Sequence, residues 1–254
     1  MSTAAQALRR VAELAAELGS KSALADPEAV FRTLISAAGR GVAGAESVSV
    51  VARDGAGLIS VVATDDRARR VDQRQFELGA GPCLQAIAEA RACHVPDLGR
   101  DRCWPGFGQW ASQECGLASA LSVGFGEPGA DGVDQGGACL NLYSARVGSF
   151  DEESVQVALL LAGCAGTALA AANNALRVAN LERALHTNAD IGTAIGVIMA
   201  RYRRSHDQAM ELLRSTSQRT HRKVSDLAAQ VVNTGSLPGL GSPRRRAKSY
   251  RNVR

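Results

Sequence analysis

Residues 181–232 read LERALHTNADIGTAIGVIMARYRRSHDQAMELLRSTSQRTHRKVSDLAAQVV, and this stretch decides how the chain is built. Leu181, Leu185, Asn188, Gly192, Ile195 and Met199 recur with the alternating four-and-three spacing of a heptad. Leu169, Ala172, Leu176 and Ala179 carry the same alternation upstream. The spacing predicts one helix from about Asp151 to Arg201, paired along part of its length with a second copy as a parallel coiled coil. A helix packed within a monomer is the alternative. Asn188 at a seam position suits a polar residue that sets register. Ser205-His206-Asp207-Gln208 has the form of a capping box and opens a second helix, burying Ala209, Leu212 and Leu213. Thr220 is placed to cap a third, which buries Val224, Leu227, Ala228 and Val231 and ends at Gly235 and Pro238. A unit of this size is too small to be an enzyme by itself.

Charge is concentrated in the same region. Residues 1–180 carry 15 Lys+Arg against 20 Asp+Glu, and residues 181–254 carry 14 against 5, so the formal net charge of +4 is the sum of −5 and +9. A basic terminal third is the footprint of a polyanion partner. A solvated helical face followed by a basic tail gives the same count. Arg201, Arg203 and Arg204 cluster at the end of the long helix, while Arg219, Arg222 and Lys223 flank the entry to the third. Gly192, Ala194 and Gly196 line one side of the long helix and let another backbone approach, either a neighbouring helix or a phosphate chain. Residues 239–254, including SPRRRAKSYRNVR, have no apolar periodicity and are expected to be a disordered tail with non-specific attraction to phosphate.

The string IGTAIGVIMARY, followed by QAMELLRSTSQRTHRKVSDLAAQVV, resembles the ANTAR domain of transcription antitermination regulators. The resemblance implies a three-helix RNA-binding module that acts as a dimer on paired stem-loops of nascent transcripts and keeps a terminator hairpin from forming. Carried over by position, it implies RNA contact at Ala194, Gly196, Arg201, Arg222 and Lys223. The chain departs from the pattern at Ile195, where the family often has Lys. Arg203, Arg204 and Arg219 extend the set of phosphate contacts on charge grounds. Splayed loop bases let a short module read RNA with few side chains, although Tyr202 is the only aromatic residue in this region.

Upstream, the pattern changes from helix to strand. Leu8, Val11, Leu14, Ala15 and Leu18 have helical spacing that Gly19 ends, giving an N-terminal helix within residues 1–25. Asp26-Pro27 caps and starts a second helix to about Ala43. SVSVVARD and GLISVVATD flank Asp54-Gly55-Ala56, a hairpin signal. Gly81-Pro82 starts a short helix through Ala90, ACHVPD is a brief strand, and residues 105–115 are helix-like. LASALSVGFG and GGACLNLYS are two further strands joined by a Gly/Asp-rich loop from Glu127 to Gly136. Acidic residues after Phe150 suit the first turn of the long helix. The order predicts an α+β domain, an antiparallel sheet with helices packed on one face.

The segments LGAGPCLQAI, VPDLGRDRCWPGF, GLASALSVGF, GACLNLYS and SFDEESVQVALLLA resemble a GAF domain over residues 26–175, which leaves 176–238 for the ANTAR module. This implies a signal-sensing fold with a small-molecule pocket but names neither ligand nor cofactor. The acidic pair, central Asp, Thr/Ser and Lys of a phosphoacceptor domain are not seen, so control by aspartyl phosphorylation is not expected.

Cys83, in the first turn of a predicted helix, is the candidate for redox sensing, with Cys93 and Cys103 as possible resolving partners. Small buried residues filling a core are the plainer reading. The six cysteines show no CxxC and no Cys/His zinc spacing, so no metal site is expected, and reduced thiols point to the cytoplasm. His94 has no ligand spacing. Asp97, Asp101 and Trp104 read as caps and packing. No Walker A motif, HExxH or nucleophile elbow occurs, and no enzyme is expected. No signal-peptide run is present among the first residues. Val157–Ala172 is uncharged but spans only roughly 24 Å against a core of roughly 30 Å, and reads as a buried or dimerising helix with no membrane role.

The combined expectation is a cytoplasmic homodimeric regulator. A GAF-like domain senses a signal, a long helix transmits it through a change of register or dimer geometry, and the basic module binds RNA. Two other readings remain open: a signalling scaffold whose helical bundle binds a protein through Met199, Tyr202 and Met210, or a redox or ligand sensor without RNA binding.

Overall fold

The computed structural model describes residues 12–20, 22, 24, 26–54, 57–126 and 137–239. Leu8 and Val11 of the first expected helix, the turn residues 55–56, the loop 127–136 and the basic tail from 240 onward lie outside the described residues. The chain divides into two compact units between Leu176 and Arg177.

The first unit is built on a five-stranded antiparallel sheet. Its strands are β1 (Ser47–Asp54), β2 (Gly57–Ala63), β3 (Ala92–Val95), β4 (Ser119–Phe125) and β5 (Ala138–Ser144), in the order β2-β1-β5-β4-β3. Helix α1 (Pro27–Gly41) starts as its sequence suggests: Asp26 Oδ1 accepts from the Ala29 amide at 2.7 Å, and Pro27 opens the first turn. Helix α2 (Asp66–Leu78) was not legible from apolar spacing; Asp65 caps it and Gly79, in the left-handed region, ends it. Helix α3 (Pro82–Glu89), a 3₁₀ turn (Leu98–Arg100) and helix α4 (Pro105–Cys115) follow. Asp97 accepts from Arg100 N and Asp101 from Trp104 N, so these residues do serve as caps.

Helices cover both faces of the sheet, not one. Val48, Val50, Leu121, Val123, Leu140 and Leu142 point to α1 and to the first half of α5 (Glu152–Tyr202), the long helix. The alternate residues of the same strands face α2, α3 and α4, where Val51, Ala120, Cys139 and Tyr143 pack. The one-sided arrangement failed because α2 was missing from it. With both faces covered, all seven residues of β5 are buried.

Two close approaches set the second layer. A Cβ on Gly124 of β4 would stand 2.0 Å from the Ala86 carbonyl oxygen of α3, and one on Gly108 of α4 would stand 2.1 Å from that of Leu98. Neither neighbour is a side-chain tip that could swing aside.

Helix α5 is long and apolar enough to cross a membrane by length and composition. Within its apolar stretch, Val157, Ala158, Leu161, Ala162, Ala165 and Ala168 are buried in the first unit's core, while Leu159 and Leu160 are exposed.

The second unit joins the last turns of α5 to α6 (His206–Thr220) and α7 (Val224–Thr234). Ala194, Ile195, Ile198, Ala209, Leu213, Leu227, Ala228, Val231 and Leu237 form its core. The Ser205/Gln208 capping box is formed in both directions. Thr220 is not the cap of α7: it is the last residue of α6 and bonds back to Thr216 O, while Lys223 takes the N-cap position.

These packing distances give a paired expectation. Gly124→Ala lowers unfolding stability by about 1–3 kcal/mol through overpacking. Gly39→Ala, on an exposed turn of α1 with nothing within 4 Å of the added carbon, raises it by about 0.5–1 kcal/mol. Denaturant unfolding of the two variants checks the pair.

Candidate nucleic-acid interface and sensor interior

The two junctions of the three-helix unit carry its exposed cations. At the α5–α6 turn, Arg203 adopts φ of +54° and stands exposed with Arg201 and Arg204. At the α6–α7 turn, His221 in the left-handed region closes α6, and Arg222 and Lys223 precede α7, with Arg219 one turn earlier. The segment after α7 links the two sets. Arg201 Nη1 donates to Gly235 O at 2.8 Å, and Arg219 Nη2 donates to Pro238 O at 3.4 Å. These two exposed arginines therefore donate to carbonyls at and beyond the C-cap of α7. Arg222 Nη1 donates to Gln230 Oε1 at 2.8 Å, which orients it along α7.

Not every residue of the expected set faces outward. Ala194 is fully buried in the three-helix core, so RNA contact at this position is corrected to a packing role: its small side chain admits the neighbouring helices. Ile195, the position at which the sequence departs from the resemblance, is also buried in that core. Gly196 and Gly192 are exposed, and a Cβ on either would meet nothing within 4 Å. Their open backbone faces outside the unit. Tyr202 packs on the core with its hydroxyl shielded and unpartnered, so its ring is not presented as a stacking platform.

The first unit has a polar interior that the sequence did not disclose. Asp72, on the inward side of α2, is fully buried. Its Oδ1 accepts from Tyr143 OH at 2.9 Å and from Asn141 Nδ2 at 3.1 Å, and its Oδ2 accepts from Ser60 Oγ at 2.7 Å. Asn141 Oδ1 accepts in turn from Ser122 Oγ and Cys139 Sγ. Gln75 Nε2 donates to Tyr143 OH, while Gln75 Oε1 accepts from the Cys83 amide at 2.8 Å. No described ion pair includes Asp72. Burial pushes its carboxyl from 3.8 up to about 6, against the hydrogen bonds from Ser49, Ser60, Tyr143 and Asn141 that favour the anion. Burial likewise pushes the Tyr143 hydroxyl well up.

Cys83 lies in the first turn of α3 as expected, but its side chain is buried. Its close sulfur neighbour is Cys139 of β5, whose thiol burial pushes well up. Cys93 packs at the edge of this cluster, and burial followed by the charges of Asp101 and Cys103 pushes it to about 11; Cys103 is exposed. The arrangement is that of filled core space, with Cys139 rather than Cys93 or Cys103 beside Cys83. No group of three or more His, Cys, Asp and Glu could hold a metal among the described residues. His94 meets Phe150 edge-on at 6.4 Å between ring centroids.

Asp72 has a measurable consequence. A carboxyl whose pKa is raised on folding binds more protons in the folded state, so its contribution to stability is present at low pH and is lost as pH climbs from 3.8 through about 6. Between pH 4.5 and pH 7 this amounts to about 2 kcal/mol. Asp72→Asn keeps the donors of Tyr143 and Ser60 within reach of a polar group and removes the titration. The difference in unfolding free energy between the two forms should change by about 2 kcal/mol across that range, with the asparagine form gaining toward neutral pH. A constant difference would show that Asp72 ionises as freely folded as unfolded.

The GAF domain family matches residues 24–170 and the ANTAR domain family matches residues 179–232. No curated protein matches the chain. Among solved structures, the phytochrome photosensory core module of Stigmatella aurantiaca aligns at a TM-score of 0.51 and 12% identity, covering 85% of this chain and 45% of that one. The free methionine-R-sulfoxide reductase of Neisseria meningitidis aligns at 0.49 and 16%, covering 69% and 95%. The GAF domain of a phosphoenolpyruvate-protein phosphotransferase from Coxiella burnetii aligns at 0.45 and 16%, covering 68% and 99%. At these identities the phytochrome likeness speaks to fold alone, and the other two carry no argument. The matched GAF region spans more than half of the residues and coincides with the sheet and its helices, and the matched ANTAR region coincides with the basic three-helix unit: the chain belongs to the GAF domain family and carries an ANTAR domain at residues 179–232.

Proposed function

We propose that the protein is a cytoplasmic, signal-responsive antitermination regulator without enzymatic activity. Its GAF domain senses a small molecule, and its ANTAR domain grips paired stem-loops of a nascent transcript. Holding the RNA in that form keeps a terminator hairpin from closing. The observation that carries this reading is the placement of Arg201, Arg203, Arg204, Arg219, Arg222 and Lys223, all exposed, at the two junctions of one small unit. Phosphate contacts supply most of such binding, and each one released makes affinity less dependent on salt. Gly192 and Gly196, open on α5 upstream of the first junction, leave room for a phosphate backbone. The shielded Tyr202 hydroxyl argues against a role for that residue as a protein-docking contact.

The regulator works as a homodimer in this reading. Leu169, Ala172 and Ile195 of the heptad pattern pack inside their own units. Along α5 between these packed turns, Leu181 and Leu185 are 60% and 69% exposed, with Leu176 and Val178 also open. A second copy covers this stretch along a coiled coil and presents two RNA-binding units together. The unbroken course of α5 gives the signal a route, through a shift in helix register. Inserting two residues near Asn180 therefore uncouples regulation while isolated RNA binding persists.

Two measurements check the reading. Arg222→Ala with Lys223→Ala weakens binding to a paired stem-loop RNA at least tenfold, and the slope of log affinity against log salt falls by about 1.4, or roughly 0.7 per contact. An unchanged slope rules these residues out as phosphate contacts. Leu181→Glu with Leu185→Glu converts the dimer to monomer in sedimentation and weakens paired stem-loop binding at least tenfold. A variant that stays dimeric places the interface elsewhere.

A further inference from the structure

The outward side of α2 has a chemistry that neither the RNA interface nor the polar interior uses. Arg69, Arg70 and Arg74 line a groove of about 530 Å3, closed on one side by Trp110 of α4. The Arg70 and Arg74 guanidinium carbons stand 5.7 and 5.6 Å from the centroid of the same indole ring. Two cations on one ring repel each other, and the ring's negative face offsets only part of that. Glu77 pairs with Arg74 at 3.2 Å, and Arg70 donates to the backbone carbonyl of Glu114 at 3.3 Å. Among the described residues, no carboxylate forms an ion pair with Arg69 or Arg70. Arg74 Nε is shielded from solvent without an acceptor, a costly state for a charged donor. The groove therefore has a surplus of donors and a deficit of anions.

Its remaining lining mixes apolar side chains with Ser60, Gln73 and Glu77. Leu58 and Phe76 contribute to the lining, and Ile59 of the edge strand β2 is 43% exposed there. Guanidinium groups recognise carboxylates through paired N–H donors, and a cleft of roughly 300–1,000 Å3 suits a small organic molecule. Ser60 belongs to both compartments: it lines the groove, and its hydroxyl donates to the buried Asp72.

We propose that this groove binds a small organic carboxylate with a flat apolar body, the carboxylate held by Arg70 and Arg74 and the body lying against Trp110, Leu58 and Phe76. Arg69 adds attraction at the mouth. The regulatory meaning of this site rests on reading the first unit as the sensor, but the binding itself does not. Ser60 gives an occupied groove a direct connection to the hydrogen-bond network beneath α2.

Calorimetric titration of the full chain with 1-naphthoate, neutral 1-naphthamide and inorganic phosphate tests the site. The expected result is saturable binding of 1-naphthoate at one molecule per chain, with the amide and phosphate each at least tenfold weaker. Arg70→Gln with Arg74→Gln lowers naphthoate affinity at least tenfold and leaves stem-loop RNA affinity unchanged. Should that variant fold poorly, Arg69→Gln with Arg70→Gln, both exposed, replaces it with the same expectation. Arg222→Ala with Lys223→Ala, deficient in RNA binding, takes up naphthoate as the parent does, which separates failure of the groove from failure of the RNA reading. Absence of saturable naphthoate binding, equal binding of acid and amide, or undiminished binding by the folded arginine variant overturns the proposal.

Discussion

A sheet covered on both faces must satisfy its inward polar side chains internally, and beneath α2 one carboxylate gathers much of that bonding. Asp72 collects Tyr143, Asn141 and Ser60, which come from β5 and from the edge strand β2. These bonds tie α2 across three strands of the sheet, since β1 lies between β2 and β5. Replacing them with apolar contacts would relieve the burial of charge, but hydrogen bonds are directional and hold α2 in one rotation about its axis. That rotation turns Arg69, Arg70 and Arg74 outward. The interior network and the outer arginines are thus two faces of one helix whose orientation is set from inside.

The three-helix unit solves a different problem, with few apolar residues and many cations. Its core draws on small side chains such as Ala194, Ala209 and Ala228, which let the helices come close. Two of its arginines also fasten the chain after α7: Arg201 holds Gly235 O and Arg219 holds Pro238 O. The two exposed basic turns therefore also use charge to satisfy backbone carbonyls of the segment that follows α7. Arg203, Arg204 and Lys223 have no side-chain hydrogen bond or ion pair among the described residues, which separates them from the cations that brace the unit.

Most of the element order was legible because it rests on local signals. Asp26-Pro27, Gly81-Pro82 and Ser205 through Gln208 mark helix starts by capping chemistry, and the Val/Ile runs of β1 and β2 mark strands. Helix α2 escaped because its buried face is Ala68, Val71, Asp72 and Gln75, which leaves no apolar stripe to read. Asp65 and Gly79 would have marked its ends, but only to a reader expecting a helix with a polar interior side. The error in layering followed from that omission. At the candidate site, the basic residues were visible as charge, whereas the roles of Arg201 and Arg219 depended on where residues 235–238 return. Ala194 was misplaced because a small residue serves close packing and close ligand approach equally well. Cys83 was correctly placed in a first turn, but its neighbour Cys139 lies on a strand that only the sheet order brings near.

The exposed part of α5 shows how a segment without a core of its own stays ordered. Residues 173–186 are exposed without exception, yet the helix runs through them unbroken. Starting a helix is the costly step, while each added residue costs little once a turn exists. Packed turns on either side, through Ala172 in one core and Ala194 in the other, remove the starting cost. The intervening sequence after Ala172, NNALRVANLERALH, has three Ala, three Leu, two Arg and one Glu, whose helix propensity offsets that of its three Asn. Helix formation there needs no apolar partner, so the exposed Leu181 and Leu185 are not required to hold the helix itself. Polar residues at those positions would serve local helicity as well, so the helix itself does not account for the open leucines.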